Sequence, residues 1–375
     1  MSNCAVGLDV LLSDDCRLIQ GRRIGLVCNQ ASISGDLVHV LDCLLPYHRS
    51  GRINIMSVFG PQHGIWGHTQ DNMIEWEGYL DPRTGIRFHS LYGQHRQPTP
   101  QMLQGIDELV VDLPDVGARY YTFIWTLALC MKACEPLGIP VTVLDRPNPI
   151  NGVTVEGPLL DPAFASFVGL YPLPIRHGMT VGDVARHLKE TQFPGVDLRV
   201  VEVQGWNRES YLDETDFPWA MPSPNMPTVE TAVVYPGMCL IEGTQMSEGR
   251  GTTKPFEIFG APYIDGWVLA EELNRYGLPG CVFRPYQYQP TFHKFVGQIC
   301  QGCHIHVTDR RTFQPFLTTC VLLQKVMALY PDDFKWLNPP YEYEEKLMPI
   351  DILLGNGWLR GVIESGGDLR EALAG

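Results

Sequence analysis

The sequence is short of positive charge. Its 28 Lys and Arg stand against 42 Asp and Glu, a formal net charge of −14. Sequence-independent nucleic-acid binding needs a basic surface that displaces counterions, so that class is excluded. An anionic small substrate is not, because a local group of arginines outweighs a global field. Runs of about 20 apolar residues are also missing, which argues against a membrane span and a membrane partner. Met1 to Asp9 has neither the basic start nor the apolar core of a secretory leader. The 11 cysteines, an odd number scattered over a long chain, read as reduced thiols, and the expected location is the cytoplasm. No G-x-G-x-x-G follows a strand-like run and no G-x-x-x-x-G-K-[ST] occurs, so dinucleotide and nucleoside triphosphate fingerprints are lacking. The G-x-S-x-G elbow of α/β-hydrolases is absent. Cys300, Cys303, His304 and His306 are metal-binding types without the second ligand pair of a closed zinc site. His63 and His68 lack the spacing and the glutamate of a zinc protease. No metal and no cofactor is expected.

What is present is ordinary globular material: 375 residues, 45% hydrophobic and 19% charged, enough for two domains. In the first half, apolar runs alternate with helical patterns. Ile24–Cys28, Ile53–Phe59, Leu109–Leu113 and Val141–Leu144 read as strands. Leu37, Val40, Leu41, Leu44 and Leu45 follow helical spacing after Asp36, a candidate cap, and 121–134 suits another helix. Such alternation predicts α/β architecture with a parallel sheet. In the second half, Thr180 and Asp183 form a capping-box-like start for a helix through Glu190, and Leu198–Val203 reads as a strand. Asp265 caps a further helix, and Thr312–Leu329 carries the strongest late helical pattern. The stretch 218–262 is dense in Pro and Gly and reads as irregular, which in a compact domain points to function. The domain boundary is expected near residue 165, giving 1–165 and 166–375.

Polar clusters follow each strand of the first half: Asn29-Gln30, Gln62-His63, Asp115 to Tyr121 with Arg119 and Tyr120, and Asp145 to Asn148. In a parallel sheet these ends share one edge, where such folds bind ligands. The same residues also build turns; all the clusters together favour a site. Further candidates are Glu156, Arg176-His177, Asn225, Glu242, Glu248 and Arg250. Glu242 and Glu248 form a carboxylate pair suited to acid–base work on a glycosidic bond, or else pair with Arg250 or Lys254. Trp66, Trp76, Tyr120, Tyr121 and Trp125 are rings suited to a sugar face or to a core.

Read in order, these segments resemble the NamZ-type exo-β-N-acetylmuramidases. The resemblance runs from Gly7–Leu11 and Gly25–Gln30 through Phe59–Gly64, Ser90–Gly93, Asp115–Thr122, Leu144–Ile150, Val155–Pro158 and Pro174–Thr180. It continues through Pro222–Thr228, Tyr235–Gly237, Glu242–Thr244 and Ser247–Thr252 to Pro255–Glu257. It implies a Rossmann-like domain plus a smaller α+β C-terminal domain, with the active site in the cleft between them. It also implies release of N-acetylmuramic acid from the non-reducing end of peptidoglycan-derived fragments, a small-molecule sugar or muropeptide substrate. The family pattern has a glutamate before the histidine of Gly-Pro-x-His-Gly, whereas this chain has Gln62, followed closely by Glu75 and Glu77. The expected chemistry is protonation of the leaving oxygen by Glu248 or Glu242. Asp115 or His63 would activate water or stabilise charge, and Arg119, Arg176 or Arg250 would hold the lactyl carboxylate. The other expected substrate contacts are Asn29, Gln62, Tyr120, Tyr121, Asn148, Glu156, His177 and Asn225.

Overall fold

In the computed structural model, which describes residues 4–70 and 74–373, the apolar runs of the first half become strands of one sheet. These are β1 (Arg23–Cys28), β2 (Asn54–Gly60), β3 (Tyr79–Leu80), β4 (Arg87–Ser90), β5 (Glu108–Asp112), β6 (Val141–Leu144) and β7 (Leu198–Val201). Their order is β3-β4-β2-β1-β5-β6-β7. Every neighbouring pair is parallel except β3 with β4. All of β5 and β6, and β1 beyond Arg23, are buried, as expected of strands covered on both faces. The helices of this unit are α1 (Gly7–Ser13), α2 (Val40–Arg49), α3 (Phe123–Cys134) and α4 (Val181–Thr191). The Thr180–Asp183 capping box opens α4 as predicted. From β1 the sheet grows first through β2, then on the other side through β5. The ends of β1 and β5 therefore flank a topological switch point, where open α/β sheets leave a crevice.

The second unit holds α5 (Val229–Met238), β8 (Ile258–Ala261), α6 (Gly266–Tyr276), β9 (Cys281–Tyr288), β10 (Cys300–Val307), α7 (Pro315–Leu329), α8 (Pro349–Leu354), α9 (Trp358–Ser365) and α10 (Leu369–Ala372). Its sheet is antiparallel in the order β8-β10-β9. Asp265 caps α6 by accepting from the Trp267 and Val268 amides at 3.0 and 3.2 Å. Among the described residues, no helix is long and apolar enough to cross a membrane.

A single cut near residue 165 does not divide these units. The first comprises the described residues to Gly117, Tyr121–Val153 and Gly178–Val229; the second comprises Ala118–Tyr120, Thr154–His177 and the described residues from Glu230. The reason is the β6–α4–β7 crossover, which completes the parallel sheet only at Val201. Conversely, Glu156 pairs backbone to backbone with Arg176 inside the second unit.

Two local expectations also change. Helix α2 begins at Val40, where His39 caps it by accepting from the Leu41 amide; Leu37 is exposed with φ +62°. The stretch 218–262 is not irregular throughout, since it contains α5 and β8. Pro236 sits inside α5 and Gly237 follows it, which hid the helix. The glycine is needed there: a Cβ would lie 1.9 Å from the Pro315 carbonyl oxygen at the start of α7.

Candidate active site

The strand-end clusters of the first unit do gather along the carboxyl edge of its sheet. Gln62, just past β2, is buried and held at both ends. Its Oε1 accepts from the Thr122 hydroxyl at 2.7 Å and its Nε2 donates to the Tyr92 hydroxyl at 3.2 Å. His63 adopts φ +67°, and its Nδ1 lies 2.8 Å from the Thr69 carbonyl oxygen. A carbonyl only accepts, so Nδ1 carries the proton and Nε2 the lone pair of the neutral ring. Asp115, past β5, accepts from the Gly117 amide at 2.8 Å. Asn29, past β1, donates to the Pro222 carbonyl at 2.7 Å and accepts from the Ala31 amide at 3.0 Å. Asn148 donates to the Met179 carbonyl and accepts from the Ile150 amide, and Asn225 donates to the Gln70 carbonyl. These three asparagines shape loops with the side-chain groups expected for substrate. Arg146 forks onto Asp112 through Nε and Nη2, at 2.5 and 2.9 Å. Burial pushes the neighbouring Asp145 up to about 6, against amide bonds from Gly182 and Arg146.

The second unit buries a charge network. Arg250 Nη2 lies 2.9 Å from Glu242 and its Nη1 lies 3.4 Å from Glu248. Tyr341 donates to Glu242 at 2.8 Å. Glu248 also meets Lys294 Nζ at 2.9 Å and His293 Nδ1 at 3.2 Å. Burial alone would raise the Glu248 carboxyl, but Lys294, His293 and Arg250 outweigh it and hold it well below the usual range. The expected carboxylate pair is therefore joined by Arg250, while Lys254 pairs instead with Glu257 at 2.8 Å. A general acid needs a raised carboxyl, so Glu248 is unsuited to donate a proton. Glu248→Gln should be less stable than wild type at pH 7 by about 3–5 kcal/mol, since it leaves buried cations uncompensated. A depressed carboxyl contributes stability above its unfolded pKa, near 4.3, and loses it as pH falls. The gap between the two proteins should therefore shrink on acidification below about pH 4, as read by urea unfolding at several pH values. A gap independent of pH would overturn the assignment.

The other arginines are also committed inside the fold. Arg119 is fully buried and donates to the carbonyls of Pro158, Leu173 and Leu353. Burial lowers its guanidinium to about 10. Arg176 Nη1 lies 2.8 Å from Glu156, whose carboxyl is raised by burial despite that partner. His177 is buried in the same unit. Tyr120 donates to the Pro236 carbonyl at 3.0 Å. Tyr120, Tyr121, Trp76 and Trp125 are all buried, whereas Trp66 is exposed and donates to the Tyr79 hydroxyl. Glu75 and Glu77 are exposed, and Glu75 faces Arg96 at 3.5 Å. Among the described residues, no group of three or more His, Cys, Asp or Glu side chains is placed to hold a metal ion. His293, Lys294 and Tyr341 escaped the sequence reading. Their only signal is the adjacent basic pair, and distance along the chain conceals the partner.

Residues 24–230 match the family described as exo-beta-N-acetylmuramidase NamZ, N-terminal, and residues 233–375 match that described as exo-beta-N-acetylmuramidase NamZ, C-terminal. The chain is 45% identical over 360 residues to the peptidoglycan beta-N-acetylmuramidase NamZ of Bacillus subtilis (strain 168), covering 96% of this chain and 84% of that protein. It also resembles the crystal structures of two DUF1343 family proteins from Bacteroides fragilis NCTC 9343. The first has TM-score 0.87 and 31% identity, over 98% of this chain and 93% of that one. The second has TM-score 0.74 and 26% identity, over 100% and 94%.

Proposed function

The chain belongs to the NamZ exo-β-N-acetylmuramidase family, and we propose that it hydrolyses the β-glycosidic bond holding a terminal N-acetylmuramic acid on peptidoglycan-derived fragments. The observation that carries this reading is the near full-length match to a peptidoglycan β-N-acetylmuramidase. The polar rim along the carboxyl edge of the first sheet supports it. Hydrolysis proceeds through an oxocarbenium-like transition state. Asp115 stabilises the developing positive charge, and His63, with its Nε2 lone pair, draws the proton from the attacking water. Glu242 and Glu248 hold Arg250 in place. Eleven free cysteines, most of them buried, support a reducing cytoplasm, where imported fragments would be the substrate during cell-wall turnover.

Gln62 favours a second reading, a muropeptide-binding protein without turnover, because an amide has no proton to give. The deciding experiment offers the purified protein nitrophenyl β-N-acetylmuramide and the matching N-acetylglucosaminide. Nitrophenolate is a weak base and leaves without an acid, so slow leaving-group protonation does not mask activity. Release from the muramide alone is expected. Binding of N-acetylmuramic acid with no release from either substrate would select the second reading.

A further inference from the structure

We infer that a small cavity at the switch point of the first unit receives the N-acetyl group of the sugar. The Trp219 indole N–H donates there to the acetyl carbonyl oxygen, and Asp115 accepts from the acetamido N–H. This deepens the hydrolase reading and rests on it. The cavity measures about 30 Å³ and lies where β1, β5 and β6 end, lined by Ala31, Asp115, Arg146, Leu212, Phe217 and Trp219 among others. One water needs roughly 10–15 Å³ on this scale, so there is room for two or three heavy atoms, the methyl, carbon and oxygen of an acetyl group. The lining is mostly apolar, which suits the methyl.

The polar members of the lining select a neutral amide. Trp219 Nε1 is buried and meets no acceptor, although buried N–H groups are nearly always paired. An acetyl oxygen supplies what it lacks. A carboxylate offers about four acceptor positions, so the Gly117 amide bond leaves Asp115 capacity for another donor. Arg146 is already engaged by Asp112 and the Ile33 carbonyl, so the cavity is not built to read the lactyl carboxylate. The segment carrying Trp219 is pinned beside it, with Asn29 and Gln30 donating to the Pro222 and Met221 carbonyls at 2.7 and 2.8 Å. That anchoring fixes where the indole sits.

The test titrates wild type and Trp219→Phe calorimetrically with N-acetylmuramic acid and with muramic acid, its free amine. Phenylalanine keeps an apolar ring and removes only the donor. Affinity for N-acetylmuramic acid should fall about tenfold, as for one lost hydrogen bond, while affinity for muramic acid stays unchanged. Equal losses on both sugars, or no loss on either, would overturn the assignment. A selective loss in a protein that hydrolyses nothing leaves the pocket standing and removes the hydrolase reading; hydrolysis without a selective loss does the reverse. Wild type that binds neither sugar overturns both.

Discussion

Gln62→Glu should raise the rate of hydrolysis of an N-acetylmuramyl-β-N-acetylglucosamine disaccharide by about 10²–10⁴-fold, the usual contribution of a positioned general acid. The gain on nitrophenyl muramide should be far smaller. Glutamate is close to isosteric with Gln62, and the Thr122 hydroxyl already donates to the oxygen it would keep. The surroundings are buried, which favours the neutral carboxylic acid and keeps its proton available near neutral pH. A sugar alkoxide is a strong base and departs only when protonated, whereas nitrophenolate departs unaided. The contrast between substrates therefore reports the step. Equal gains on both would assign position 62 to attack or to charge stabilisation, and no gain on either would place the proton donor elsewhere. The variant should also lose activity as pH rises through the new carboxyl's titration, a limb that wild type lacks.

The sheet was legible because its central strands are buried on both faces and so appear as unbroken apolar runs. Those of β1, β5 and β6 are examples. The two residues of β3 and four of β4 carry too little pattern to be seen. Helix α5 was hidden by Pro236 and Gly237, residues that normally stop helices; here the glycine serves close packing on α7. The strand-end rim could be read from order alone, since parallel strands place their carboxyl ends on one edge. What residue types cannot convey is how a side chain is spent. Arg119 and Arg250 look alike in sequence, yet one satisfies three carbonyls and the other bridges two carboxylates. Trp219 drew no notice because an indole between Pro218 and Ala220 has no motif, and its missing partner is visible only in three dimensions.

Arg250→Ala should be the most damaging single change to stability, costing about 3–5 kcal/mol, the range for a broken buried ion pair. The guanidinium is buried between Glu242 and Glu248 and lies with its Cζ 5.0 Å from the Phe256 ring. Both carboxylates hold its proton more tightly than usual, against the opposing effect of burial. Removing it leaves Glu248 with Lys294 and His293 but strips Glu242 of its ion-pair partner. Combining Arg250→Ala with Glu242→Gln should therefore recover part of the loss, with a coupling of about 1–3 kcal/mol by urea unfolding. Equal damage in single and double variants would mean that packing against Phe256, not charge, sets the cost. The same variants test the role of Arg250 in substrate choice. An arginine engaged by two internal carboxylates has its charge already answered, so the double variant, if folded, should still prefer muramides over glucosaminides. Loss of that preference would return Arg250 to the lactyl carboxylate and make Glu242 its placeholder in the empty site.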